Sequence, residues 1–186
     1  MRIISGKYKG KKLFQPKDAL TRPLKDLTKE SIFNLLTHSN KLNIQFVNAN
    51  ILDLFSGIGS FGIECLSRGV KQVIFVENYE GVLPILKKNL NNLKFGDNHK
   101  ILEKNIYKNN LFLNLNITFD IIFIDPPYRD TNIDKLVTLI KDSKILNKNG
   151  IIVLHRHKNA IDNFPKDMKI LVERKYGISK IVFLSF

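Results

Sequence analysis

The sequence has a single cysteine, Cys65, so an internal disulfide is excluded. Its neighbours Phe61, Ile63 and Leu66 mark it as a partly buried structural thiol with no chemistry of its own. The chain lacks the run of about 18 or more apolar residues that a membrane-spanning helix requires. Its opening, MRIISGKYKGKK, lacks the apolar core of a secretory signal, so a cytoplasmic protein is expected. Acidic side chains are scarce: 17 Asp and Glu stand against 30 Lys and Arg, giving a net charge of +13 at pH 7. Such an excess favours an anionic partner, nucleic acid above all, met through phosphate contacts. With no internal repeat or low-complexity linker, 186 residues of 44% hydrophobic content suit a single domain over 1–186.

The charge is concentrated at the N-terminus, where residues 1–30 carry nine Lys and Arg against three acids. Two β-prone pieces, RIIS and KKLF, surround Gly6 and Gly10, predicting a small hairpin that exposes Lys7, Lys9, Lys11 and Lys12. Residues 1–20 are therefore expected to form a basic extension able to grip RNA. From Pro23, the residues Leu24, Leu27, Ile32, Leu35 and Leu36 fall on one helical face, predicting a helix to about His38.

Strand and helix patterns then alternate: ILDLF (51–55), a helix from about Gly59 to Ser67, VIFVE (73–77), a helix through Val82 to Leu93, KILE (100–103) and FDIIFI (119–124). Alternation of this kind builds a parallel sheet flanked by helices. A helix over about 132–144 follows and leads through Asn147-Lys148-Asn149-Gly150 into the strand IIVLHR. Two last strands, near 169–175 and 180–186, meet at Tyr176-Gly177-Ile178 and predict a closing antiparallel hairpin. FDIIFI is short, apolar and stopped by Asp125-Pro126-Pro127-Tyr128, which places an acid, two prolines and an aromatic at the tip of a buried strand. An acid and an aromatic at such a tip can grip a planar amine.

Gly57, Gly59 and Gly62 satisfy G-x-G-x-x-G between a strand and a helix, with Glu77 at the end of the next strand. Alone, this would suggest a dinucleotide and hydride transfer. Asp53, four residues before the first glycine, would repel a pyrophosphate but suits a cationic amino-acid group. S-adenosylmethionine fits: its ammonium can meet Asp53, the glycines let the backbone approach, and Glu77 can accept both ribose hydroxyls.

DLFSGIGSFGIE, VEN and DIIFIDPPY, in this order, resemble class I S-adenosylmethionine-dependent methyltransferases acting on amino groups. The flanks RIISGKYKGKKL, TRPLKDLTKESIFNLL, LSRG and RKYGISKIVFL extend the resemblance over nearly the whole chain, to the RsmD family of 16S rRNA guanine-N2 methyltransferases. The resemblance implies a Rossmann-like, mostly parallel seven-stranded sheet in a monomer that acts on 16S rRNA or the small ribosomal subunit, with no metal and no membrane. It implies that Asp53, Phe55, Gly57 and Gly59 hold the methionine portion of the cofactor, Glu77 the ribose and Asn105 the adenine. It further implies that Asp125 and the Pro126 carbonyl, in the rigid frame of Pro127, accept the guanine amine while Tyr128 stacks on the flipped base. Arg22 matches the family's substrate-side arginine. Ile58 departs from the pattern, since the family's loop carries a small polar residue there.

His155 and His157 share one side of a strand, but without a third ligand nearby they are expected to be surface or hairpin-facing residues, not a metal site. Two other functions remain open. Adenine-N6 methylation of DNA uses a similar motif but commonly needs a target-recognition region, for which the chain has little room. A non-catalytic RNA-binding assembly factor is disfavoured by the intact acids and glycines.

Overall fold

A computed structural model describes residues 1–16, 24–42, 44–108 and 111–186. In chain order the elements are α1 (Asp26–His38), β1 (Asn50–Leu54), α2 (Ser60–Ser67), β2 (Gln72–Glu77), α3 (Leu83–Leu93) and β3 (His99–Glu103). A 3-10 turn over Phe112–Asn114 follows, then β4 (Phe119–Ile124), α4 (Ile133–Asp142), β5 (Leu146–His157), β6 (Lys169–Tyr176) and β7 (Ser179–Ser185). The strands form one seven-stranded sheet in the order β3-β2-β1-β4-β5-β7-β6. The first five pair in parallel, while β7 runs antiparallel to both β5 and β6. The expected α/β class, mostly parallel with an antiparallel C-terminal hairpin, is the observed one.

Successive strand residues point to opposite faces, so β-branched and aromatic runs build two cores at once. Ile51, Phe75, Phe123, Val153 and Phe183 face one side, where α1, α2 and α3 supply Phe33, Phe61 and Leu86. Leu52, Ile74, Ile122, Ile152 and Leu184 face the other, against Leu136, Val137 and Ile140 of α4 and Phe112 of the 3-10 turn. The ring of Phe61 stacks on Phe123 with centroids 4.0 Å apart, and Phe33 stacks on Phe61 at 5.1 Å. Burial of each ring contributes about 1.5–3 kcal/mol, and a stacked pair about 0.5–1.5 kcal/mol more. This stack joins α1 and α2 to the strand that ends in Asp125.

The structure departs from the sequence expectations in four places. Leu27 is 79% exposed, because the buried stripe of α1 runs through Thr28, Lys29, Ile32, Phe33 and Leu36. That stripe follows the helical spacing, with a lysine inside it. RIIS and KKLF form only a single antiparallel bridge, Arg2 to Lys12, since the backbone N–H groups of Ile4 and Ser5 donate to Glu64 of α2 instead of to a partner strand. Residues 1–16 are anchored through Ile3 and Leu13, which lie in the main core. Asn147 to Gly150 belong to β5 rather than to a connection ahead of it, and the β4–β5 register shifts between Phe119 and Ile121 to admit them. Cys65 is fully buried instead of partly so, and burial pushes its thiol well above its ordinary pKa.

Candidate active site

The C-terminal tips of β1, β2 and β4 are level, because Leu54 pairs with Val76 on one side and Ile124 on the other. Glu77, Phe55 and Asp125 follow directly, and with Asp53 they line one cavity of about 670 Å³. That volume suits a ligand of cofactor size. Phe55 leaves β1 with φ +56°, a left-handed conformation that costs a non-glycine residue about 1–3 kcal/mol. It turns the chain sharply into the glycine loop.

Carboxylates hold that loop. The N–H of Gly57 donates to Glu77 Oε2 at 2.8 Å, and the N–H of Gly62 donates to Asp53 Oδ2 at 2.9 Å. Glu77 Oε1 accepts two more N–H groups, from Asn78 and Tyr79, both at 2.8 Å. Gly59 lies at φ +83°, and a Cβ there would meet Leu86 at 2.6 Å. At Gly62 a Cβ would meet the Phe75 ring at 2.3 Å, so glycine lets α2 close onto β2. The side chain of Ile58 is buried in the core, and its carbonyl accepts from Asn89 Nδ2 at 3.1 Å. Apolar packing thus explains an isoleucine where a small polar residue was expected.

Asp53 is 1% exposed, and among the described residues its Oδ1 has no partner. Burial raises its carboxyl well above the usual carboxylate range, the Gly62 N–H opposes this, and the charges of Asp125 and Glu77 raise it further. Three acids around one concave mouth make a site for a cation.

The far wall is the Asp125-Pro126-Pro127-Tyr128 turn. Pro126 is buried, while Asp125 and Tyr128 are half-buried. The Tyr128 ring meets His157 edge-on at 5.6 Å. Asp125 Oδ1 lies 2.7 Å from His155 Nδ1, and His155 Nε2 lies 2.9 Å from Ser179 Oγ. His155 therefore does face the hairpin, but it is buried rather than superficial. The only signal in the sequence was its place on the same strand side as His157.

Of the other expected residues, Asn105 is exposed and absent from the cavity wall, and its Oδ1 accepts the N–H of Tyr107 at 2.9 Å. Asn78, Tyr79 and Val82 line the wall instead. Lys7, Lys9, Lys11 and Lys12 are all exposed along the N-terminal segment. Arg22 lies outside the described residues. The N-terminal segment reaches the glycine loop through Asn89, whose Oδ1 accepts from Phe14 N at 2.8 Å while its Nδ2 donates to both Phe14 O and Ile58 O. Among the described residues no cluster of His, Cys, Asp and Glu could hold a metal ion, and no helix is long and apolar enough to cross a membrane.

The chain is similar to known proteins over nearly its whole length. The family described as conserved hypothetical protein 95 matches residues 1–185. The chain is 32% identical to the Bacillus subtilis protein YlbH, covering 97% of this chain and 96% of that one. It is 31% identical to ribosomal RNA small subunit methyltransferase D of Haemophilus influenzae, covering 96% and 90% respectively. The solved structure of the Escherichia coli protein yhhF matches with a TM-score of 0.81 at 28% identity, over 99% of this chain and 96% of that one.

Proposed function

The chain belongs to the conserved hypothetical protein 95 family, the RsmD family, and from that premise we propose that it transfers the methyl group of S-adenosylmethionine to the exocyclic N2 of a guanine in 16S rRNA. The observation that carries the reading is the buried, unpartnered Oδ1 of Asp53, set in one cavity with Glu77 and with the Asp125-Pro126-Pro127-Tyr128 turn. An acceptor stranded in a pocket of acids matches the ammonium of a cationic amino acid, and it would repel a pyrophosphate. The residues present thus fit this cofactor.

Asp53 and the backbone of Phe55, Gly57 and Gly59 would hold the methionine portion, and Glu77 would accept a ribose hydroxyl at the one acceptor site, on Oε2, that its three backbone donors leave open. The bound cofactor supplies a methyl group on a positively charged sulfur, a leaving group that requires no covalent enzyme intermediate. The amine of guanine is a poor nucleophile because its lone pair is delocalised into the ring. The protein's task is therefore orientation, which can lower a barrier by about 7–11 kcal/mol. Asp125 Oδ2 and the Pro126 carbonyl would accept the two N–H bonds of the amine and turn its lone pair toward the methyl, while Tyr128 stacks on the extruded base. As the nitrogen gains its methyl, Asp125 is placed to take the proton that leaves. Lys7, Lys9, Lys11, Lys12 and Arg22 would meet rRNA phosphates.

The test is nucleoside mass spectrometry after incubating the protein and isotope-labelled S-adenosylmethionine with undermethylated small ribosomal subunits, naked 16S rRNA and duplex DNA. Labelled N2-methylguanosine is expected from an RNA substrate. Labelled N6-methyladenosine in DNA would overturn the reading, and cofactor binding without label in any nucleic acid would point to a binding role.

A further inference from the structure

We infer that His155, anchored by Ser179, is a positioning residue that fixes the carboxylate of Asp125 for the amine. Asp125 stands one residue beyond the end of β4, and although its N–H still donates to Leu54 O of β1 at 3.3 Å, a backbone bond does not set its side-chain rotamer. The next strand does. β5 lies between β4 and β7, and His155 spans that width, with Nδ1 2.7 Å from Asp125 Oδ1 and Nε2 2.9 Å from Ser179 Oγ. Both side chains line the cavity, and that of His155 is the more deeply set, 6% exposed against 21% for Asp125.

Donor and acceptor arithmetic sets the direction of both bonds. An ionised carboxylate only accepts, so Nδ1 must carry the proton. In the neutral ring Nε2 then offers a lone pair, and the Ser179 hydroxyl donates to it. The carboxylate of Asp125 thereby selects the tautomer, and Ser179, whose hydroxyl can donate or accept, anchors the ring by satisfying Nε2. With Oδ1 committed to the imidazole, the carboxylate plane is fixed and Oδ2 is the oxygen left for a substrate N–H. A displaced acid would still bind an amine, but with its lone pair out of line with the transferable methyl. A misplacement of about 1 Å can cost about a hundredfold in rate.

The inference rests on the proposed role of Asp125 toward the amine, and the experiment separates the two. His155→Leu, His155→Asn, Ser179→Ala and Asp125→Ala are compared in the full chain with undermethylated small subunits and labelled S-adenosylmethionine. kcat, KM for the subunits and the cofactor Kd are measured separately. His155→Leu is expected to lower kcat about ten- to a hundredfold, with KM and cofactor Kd within about twofold. His155→Asn, whose amide nitrogen can occupy the place of Nδ1, is expected to recover most of that loss, and Ser179→Ala to fall between them. The inference is overturned if Asp125→Ala is inactive while His155→Leu turns over like the parent. Equal losses in His155→Leu and His155→Asn would overturn it too, because packing alone would explain them. An active Asp125→Ala would instead remove the underlying role of Asp125. Should His155→Leu fail to fold, an unchanged kcat in Ser179→Ala is the overturning result.

Discussion

Lys29 and Glu64 form an ion pair from which solvent is shut out, with Nζ 3.6 Å from Oε2 and both side chains 0% exposed. Glu64 also accepts the N–H groups of Ile4 and Ser5 and the Nε–H of Arg68, while Lys29 Nζ donates to the carbonyl of Arg2 at 2.8 Å. One buried carboxylate therefore ties α1, α2 and the N-terminal segment together. Replacing it with Ala strands a buried ammonium, a change that typically costs about 3–5 kcal/mol. Urea unfolding of Glu64→Ala should show a loss of that size, with the linear slope against urea retained.

The N-terminal segment comes closest to α2 at Gly6. Gly6 has φ +81°, and a Cβ there would lie 1.8 Å from Ser67 O, the acceptor of the Lys7 N–H at 2.7 Å. Gly6→Ala cannot keep this approach. Limited proteolysis should cut the variant among residues 4–12 much faster than the parent, while the seven-stranded domain stays resistant.

Asp53 sets an opposition between stability and ligand binding. Burial, above all, holds its folded-state pKa well above the ordinary carboxylate value. The folded chain therefore holds that proton more tightly than the unfolded chain does. The resulting stabilisation is present at acid pH and is lost as pH rises from the unfolded value through the raised folded one. Asp53→Asn should raise the midpoint of thermal unfolding of the ligand-free protein at pH 7, by about 2–4 °C for each 1 kcal/mol recovered. The advantage should vanish below the ordinary carboxylate range. Calorimetric titration of the same variant should find cofactor binding lost, and in the parent the affinity should rise with pH across Asp53's own titration.

Lys7, Lys9, Lys11 and Lys12 are exposed on one short segment. If they meet phosphates, each lysine changed to alanine should flatten the plot of log affinity for rRNA against log salt by about 0.7–0.9 for every phosphate left without its cation. Cofactor affinity should not change. Filter binding at several salt concentrations provides the slopes, and an unaltered slope in the fourfold variant would remove the segment from the rRNA interface.

Local features were the legible ones. The strands with acids at their tips could be read because each is an unbroken apolar run ended by a turn, and the glycine loop because its backbone needs are written in residue type. Lys29 gave no such signal: a lysine in a helix normally marks the solvated face, and only the folded chain brings Glu64 to it from 35 positions away. His155 was recognisable as a strand residue, but its bond to Asp125 depends on β5 lying beside β4. Asn105 was placed by family pattern alone, and its own short turn claims its side chain. Leu27 shows the reverse error, since an apolar residue beside the stripe faces water.

The hairpin that closes the sheet imposes an order in time. β7 follows β6 in the chain but lies between β5 and β6, and β6 pairs only with β7. As the polypeptide is synthesised, β6 has no seat until β7 exists, and until then Ile152–Leu154 of β5 present an unpaired apolar edge of the kind that recruits other chains. Ser179, the first residue of β7, reaches His155 only when that edge is covered. Closing the aggregation-prone flank and completing the Asp125–His155–Ser179 chain of hydrogen bonds are thus one event, so a chain that stops short of it would be sticky and would leave the His155 ring without its Ser179 anchor.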